Sequence, residues 1–370
     1  STSVAEGFEK YASKYRVDPQ TGKNNYISVQ AEDELAAVGM AIGANWNGAR
    51  GFTATSGPGI SLMSEFLGLA YFAEVPLVIF NIQRGGPSTG MPTRTQQSDI
   101  LSCAYASHGD TKHVLLFPED PQECFEFSAE AFNLAERLQT PVFVISDLDI
   151  GMNDWVTDKF EWDDEQKYDR GKVLKAEDLD KMDNFGRYLD VDDDGICYRT
   201  YPGTHPEKGA FFTRGTSHDE YARYTENGDI NEQTLTRLVK KFRTASELVP
   251  DPIINLSEKQ GSSGVIFYGS TSAAMYEAKD ILNENNIEVD LMRIRSFPFN
   301  LDVWEFIENH DLIYVIEQNR DSQMRTLIMA EGGISAEKLR SLVWFNGDPI
   351  QAKFIAKKIY ERESQQALIT

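Results

Sequence analysis

Residues 29–61 read VQAEDELAAVGMAIGANWNGARGFTATSGPGIS. Three acids, Glu32, Asp33 and Glu34, open the stretch. A run of small and apolar residues follows, and a glycine-rich turn ends it. Acids at a helix start are favoured by the macrodipole and by the unpaired N–H groups of the first turn. The rest of the helix is less ordinary. Ala37, Ala41, Gly43 and Ala44 lack bulk, so another backbone can approach closely, as at a buried interface. A carboxylate opening such a helix is desolvated unless a partner donates to it.

Working outward, short apolar runs alternate with helical patterns up to about residue 150. GFTATSG, VPLVIFNIQ, HVLLFP and TPVFVISD read as buried strands ending in loops. The segments 34–47, 61–73, 95–107 and 121–138 read as helices. Strand–helix alternation at this spacing predicts a doubly wound α/β sheet, whose ligands sit at the carboxyl ends of its strands. TATSGPG and NIQRGGPSTGMPT follow two of those strands and should lie at that edge. Residues 156–258 change character, being highly charged and then rich in Gly, Thr and aromatics. They read as a structured connecting excursion. From 259 to 370 the pattern is again α/β: GVIFYGST is a strand and glycine turn, 272–285 a helix, and EVDLMRIRSF and LIYVIEQN are strands. The domains expected are therefore 1–155, the 156–258 excursion, and 259–370.

The chain has 370 residues and a formal net charge of -22. That charge argues against nucleic acid, which needs clustered Lys and Arg, and against an anionic membrane surface. No apolar run is long enough to span a bilayer. Cys103, Cys124 and Cys197 are widely spaced and form no C-x-x-C pair, which excludes a disulfide scaffold, a zinc ribbon or a complete iron–sulfur site on this chain. A reducing, cytoplasmic compartment is the expectation.

A glutamate opening a small-residue helix, a strand entering TSGPG, then a helix and PLVI resembles the pyrimidine-binding domain of thiamine diphosphate enzymes, including those similar to acetolactate synthase. Three longer strings narrow the resemblance: QRGGPSTGMPTRTQQSD, RTYPGTHPEKGAFFTRGTSHDEYARYTE and GSTSAAMYEAKDILNENNIEVDLMRIRSFPF. In this order they are similar to the alpha subunit of 2-oxoacid:ferredoxin oxidoreductases, and most to the 2-oxoglutarate members. The resemblance implies a pyrimidine-binding domain followed by a smaller α/β domain of transketolase C-terminal type. It also implies thiamine diphosphate as cofactor and coenzyme A as co-substrate.

By this resemblance Glu34 is the catalytic acid. It hydrogen-bonds a ring nitrogen of the aminopyrimidine and favours the tautomer that removes the thiazolium C2 proton. Glu32 and Asp33 are read as solvated or structural. Thr55, Ser56 and Gly57 are the other cofactor-binding candidates, since glycine lets the chain approach a ring without a side-chain clash. Arg84, at a strand end before a flexible loop, suits bidentate pairing with the carboxylate that every 2-oxoacid carries. Arg94 is a second candidate, and Ser88 and Thr89 line the same loop. DVDDDG at Asp190–Gly195 imitates the start of a calcium loop, but its twelfth place is Tyr201 where a bidentate Glu belongs, so it reads as an acidic turn. His108, His205 and His218 show no ligand spacing, and no metal ligand is assigned. His108 falls near the same edge, in a structural role.

The sequence shows neither the Gly-Asp-Gly…Asn signature of a pyrophosphate domain nor cysteines for a cluster. The resemblance places both, with Mg2+ and a [4Fe-4S] cluster, on a beta subunit. Ferredoxin is then a further partner and a heterotetramer the expected assembly. The family's Tyr-Pro-Ile-Thr-Pro motif is absent, and STSVAEGFEK resembles the residues just after it, so the chain reads as N-terminally truncated or as one piece of a longer polypeptide. The reaction expected is 2-oxoglutarate, coenzyme A and oxidised ferredoxin to succinyl-CoA, carbon dioxide and reduced ferredoxin, or its reverse. The alternatives are a pyruvate or branched-chain relative, a non-redox thiamine diphosphate decarboxylase or ligase subunit, and a subunit that only scaffolds a catalytic partner.

Overall fold

A computed structural model of the chain describes residues 1–163, 165–257 and 263–367. The expected boundary at 258/259 lies outside them. The first half runs α1 (Thr2–Tyr15), α2 (Glu34–Trp46), β1 (Phe52–Thr55), α3 (Gly57–Phe72), β2 (Leu77–Gln83), α4 (Ile100–Ala104), β3 (Val114–Leu116), α5 (Pro121–Leu138) and β4 (Pro141–Asp147). Two short helices, α6 (Leu148–Met152) and α7 (Ala176–Asp180), and the longer α8 (Gly228–Ala245) follow. Then come β5 (Ile253–Asn255), β6 (Ser263–Tyr268), α9 (Thr271–Glu284), β7 (Asp290–Ile294), β8 (Ser296–Phe297), α10 (Leu301–Glu308), β9 (Leu312–Glu317), α11 (Gln323–Gly332), β10 (Leu339–Val343) and α12 (Ala352–Ala367).

These elements form two five-stranded sheets, ordered β1-β2-β4-β3-β8 and β10-β9-β6-β7-β5. Each is parallel except for one antiparallel edge strand, β8 in the first and β5 in the second. The apolar strands are buried as their composition requires, because helices cover both faces of a parallel sheet. One core cluster runs between the sheets, from Val38, Met63 and Ile79 to Ile266, Val315 and Met324. The α/β class and the four strands of the first unit stand as read from the sequence.

Three expected elements differ. The helix read as 61–73 starts at Gly57, since Pro58 is pre-set for the first turn and Ser56 is extended before it. The helix read as 95–107 shrinks to Ile100–Ala104, because Gln97 and Asp99 bond groups distant in sequence. The single strand read in EVDLMRIRSF divides. β7 stays in the second sheet, while Leu115 and Leu116 pair with Phe297 and Ser296, drawing β8 into the first.

The excursion is folded onto the first unit. Arg237 and Lys241 of α8 reach the buried Glu74, with contacts of 2.5 and 2.8 Å. Burial acts to raise the Glu74 carboxyl's pKa, but the two cations outweigh it and hold it well below the usual range. No helix among the described residues is long and apolar enough to cross a membrane.

Candidate active site

The carboxyl ends of the first sheet's strands gather most of the sequence candidates. Glu34 is the first residue of α2 and is half-buried. The capping role falls to Asp33, whose Oδ1 accepts the Ala36 N–H at 2.8 Å. Glu34 is thereby left free of backbone duty, with its carboxylate at the positive end of the helix. Thr55 ends β1 and is buried, and Ser56 and Gly57 carry the chain into α3. A methyl group built on Gly59 would collide with the Thr55 hydroxyl and lie 3.1 Å from Glu34 Cγ. Glu34, Thr55 and the turn are therefore packed together, and only glycine at 59 permits it.

Arg84 follows directly on β2. It is half-buried, and its Nε is buried without a hydrogen-bond partner among the described residues. Ser88 and Thr89 are exposed in the loop beyond, with Ser88 at a φ of 57°. Arg94 is exposed and turned towards the second unit, where it pairs with Asp348 at 3.0 Å. A methyl group on Gly347 would lie 3.1 Å from Arg94 Cβ and clash with Met91, so this turn braces the loop. The structure thus groups Glu34, Thr55, Ser56 and Gly57, sets Arg84 on the neighbouring strand, and leaves Arg94 engaged elsewhere.

Several polar residues here were not singled out from the sequence. Asn81 and Gln83 are buried in β2. Asn81 Nδ2 donates to Asp99 Oδ2 at 3.1 Å, and Gln83 Oε1 accepts the Asp99 N–H at 3.0 Å. Their signal was two amides inside the otherwise apolar LVIFNIQ. Deeper in, the carboxyl edges of the two sheets meet in a buried polar seam. Asp147 Oδ2 accepts from Ser270 Oγ at 2.6 Å. Gln97 donates to the Tyr268 carbonyl at 3.2 Å and accepts from Thr271 Oγ1 at 3.2 Å and the Gln318 N–H at 3.1 Å. Burial raises the Asp147 carboxyl above its ordinary value.

The acidic turn is tied internally. Asp190 accepts the N–H groups of Asp194 and Gly195 at 3.1 and 3.0 Å. Lys172 holds Asp192 and Asp194, and Lys240 holds Asp193. Its carboxylates are balanced by lysines. His108 is exposed and faces Glu65 at 3.4 Å.

The residues present fit an aminopyrimidine. A half-exposed carboxylate stands at a helix start, packed with Thr55 through the glycine at 59, and an arginine follows the next strand with a buried Nε that has no partner among the described residues.

Comparison with known proteins agrees. The family model described as "Pyruvate flavodoxin/ferredoxin oxidoreductase, thiamine diP-bdg" matches residues 1–244. The chain is 36% identical over 342 residues to 2-oxoacid:ferredoxin oxidoreductase 1, subunit alpha, of Sulfurisphaera tokodaii, covering 90% of this chain and 52% of that one. It is 35% identical over 304 residues to 2-oxoglutarate synthase subunit KorA of Methanothermobacter thermautotrophicus, covering 79% and 76%. Among solved structures, the 2-oxoglutarate:ferredoxin oxidoreductase of Magnetococcus marinus, with 2-oxoglutarate, coenzyme A and succinyl-CoA bound, superposes with a TM-score of 0.85 at 28% identity, covering 97% of this chain and 60% of that one. The chain spans about half the length of the 2-oxoacid:ferredoxin oxidoreductase alpha subunits it matches. On sequence and fold together, this chain belongs to the 2-oxoacid:ferredoxin oxidoreductase family, as alpha-subunit sequence bearing the thiamine diphosphate-binding domain.

Proposed function

We propose that this chain is the alpha-subunit part of a 2-oxoglutarate:ferredoxin oxidoreductase, converting 2-oxoglutarate and coenzyme A to succinyl-CoA and carbon dioxide while reducing ferredoxin, or running the reverse carboxylation. The observation that carries the reading is Glu34 at the head of α2, packed with Thr55 and Gly59 at the carboxyl edge of the first sheet. The 2-oxoglutarate bound in the solved neighbour supports the choice of acid.

Thiamine diphosphate, when bound, supplies the carbanion chemistry that releases carbon dioxide from a 2-oxoacid. Glu34 shares a proton with a ring nitrogen of the cofactor through its carboxylate. Thr55, Ser56 and Gly57 present hydroxyl and backbone groups beside it. Arg84 offers its guanidinium to the substrate carboxylate, with Ser88 and Thr89 on the adjoining loop. Residues 1–155 act as the pyrimidine-binding unit, 156–258 as the connecting excursion, and 259–370 as the second α/β unit.

The complementary half-site belongs to a beta subunit, with the pyrophosphate-binding domain, Mg2+ and the [4Fe-4S] cluster. One face of α2 and α3 is suited to meet it. Leu35, Met40 and Leu62 are 40%, 53% and 51% exposed, with Gly43 and Ala44 exposed beside them. Large apolar side chains interleaved with small residues at a surface mark a contact face. Two such pairs complete a heterotetramer. The charge of -22 makes this chain a poor dock for an acidic ferredoxin, which meets the cluster-bearing subunit instead.

Calorimetric titration of thiamine diphosphate and Mg2+ tests the reading. The chain alone should bind weakly and the chain assembled with its partner tightly. Tight binding with 2-oxoacid decarboxylation by the lone chain would overturn it.

A further inference from the structure

Resting on the reading of Arg84 as the substrate-carboxylate residue, we infer that Gln96 is a positioning residue that fixes the direction from which Arg84 meets that carboxylate. The segments 83–86 and 96–99 run side by side at the carboxyl edge of the first sheet. Two bonds join them, one on each side of Arg84. Before it, Gln83 Oε1 accepts the Asp99 N–H at 3.0 Å. After it, Gln96 Oε1 accepts the Gly86 N–H at 3.1 Å. The same Gln96 oxygen lies 3.5 Å from where a Cβ on Gly85 would stand, so it rests against both residues that follow the arginine. Loop backbone completes the clamp. The Gly85 N–H donates to the Arg94 carbonyl at 2.9 Å, and the Gly85 carbonyl accepts the Met91 N–H at 2.7 Å.

Gln96 serves as a fixed arm because its neighbour is anchored in the second unit. The Gln97 N–H donates to the Gln318 carbonyl at 2.8 Å, and the Gln97 carbonyl accepts from Asn319 Nδ2 at 2.9 Å. Gln97 is buried, whereas Gln96 is half-buried. The two amides of TRTQQSD thus divide the work: Gln97 holds the segment between the sheets, and Gln96 reaches back to the residues after Arg84. Arg84 Nε is buried without a hydrogen-bond partner among the described residues, so the guanidinium takes its direction from the backbone that carries it. A bidentate pair with a protein carboxylate would fill the planar fork. A bond to the backbone behind the arginine aims the side chain and leaves the fork open. Misplacing such a group by about 1 Å is enough to lose its contribution.

The test is a double-mutant cycle in the complex assembled with its partner subunit, read by steady-state kinetics with 2-oxoglutarate. Gln96→Met keeps the length of the side chain and removes the acceptor. It should raise KM roughly three- to tenfold, the weight of one hydrogen bond. Gly86 is exposed, so water takes over its N–H and the melting temperature should hardly move. The kcat and the affinity for thiamine diphosphate should also stay near parental values. Gln96→Ala should behave in the same way. In an Arg84→Gln background Gln96→Met should add nothing, because the two residues act on one contact. An unchanged KM, equal losses in both backgrounds, or a fall in kcat and melting temperature in place of the KM effect would overturn the inference alone. An Arg84→Gln variant with normal KM would remove the Arg84 reading and this inference with it.

Discussion

Gly59 stands against Glu34: the Cβ that glycine lacks would lie 3.1 Å from Glu34 Cγ and inside the Thr55 hydroxyl. The two residues are 25 positions apart, on different helices, and their contact sets the width of the candidate cofactor face. Gly59→Ala should therefore push Thr55 or Glu34 aside, at about 1–3 kcal/mol of stability, the usual cost of overpacking. Thermal unfolding measures it. Adding Thr55→Ala removes the struck hydroxyl, so the double variant should regain part of the loss. A single variant as stable as the parent would contradict the packing.

Glu34→Gln keeps shape and volume but cannot share a proton in the same way. Turnover of the assembled enzyme should fall by on the order of 10²–10⁴, the usual weight of a positioned proton-transfer group. Exchange of the thiazolium C2 proton, followed by NMR, should slow in parallel. If both rates stay at parental values, Glu34 is not the catalytic acid.

Arg84→Lys retains the charge and loses the fork. Removing one charge-assisted bond to substrate should cost roughly 1.5–3 kcal/mol in kcat/KM for 2-oxoacids. Affinity for thiamine diphosphate, measured by calorimetry, should hardly move. Parental 2-oxoacid kinetics would take Arg84 out of the site.

Glu74 is fully buried with Arg237 and Lys241 on its two oxygens. Glu74→Gln leaves two buried cations without their anion, and breaking such a group costs about 3–5 kcal/mol. Denaturant unfolding should show that loss. A change below about 1 kcal/mol would mean that water reaches the cations.

His113 is buried, with Nε2 3.0 Å from the Ala106 carbonyl and Nδ1 without a partner among the described residues. Burial pushes its pKa down to about 4, against partial opposition from that carbonyl. The unfolded chain takes up this proton near pH 6.5, before the folded protein does. The stabilisation is therefore full above pH 6.5, declines as the pH falls, and is gone below about 4. It amounts to roughly 3 kcal/mol at one pKa unit per 1.36 kcal/mol. Stability of a His113→Gln variant, measured from pH 7 to 4, should fall less steeply than the parent's. Parallel profiles would exclude His113 as the source.

The parts legible in the sequence are those whose causes are local. The runs VPLVIFNIQ and TPVFVISD are largely apolar on both faces because helices cover both faces of a parallel sheet, and they appear as β2 and β4. Asp120 and Pro121 mark the start of α5 by their own chemistry, a side-chain acceptor for the Glu123 N–H and a pre-set first turn. TSGPG and the acid at Glu34 are recognisable because each is a short local string, and the resemblance rests on such strings. The rest depended on partners far along the chain. Residues 95–99 carry a helical pattern, yet the side chains of Gln97 and Asp99 bond to Tyr268, Gln318 and Asn81, outside their own turn. Ser296 and Phe297 continue an apolar strand, and only the open edge at Leu115 and Leu116 draws them into the other sheet. Arg84 and Arg94 look alike in sequence, and it is the position of Asp348 that engages Arg94, while Arg84 has no ion pair among the described residues. Periodicity and residue chemistry act over a few residues, so the sequence determined most of the elements and placed the acid at the head of α2. Side-chain pairing across 18 to 254 residues is decided by which surfaces pack, and only the tertiary structure carries that information.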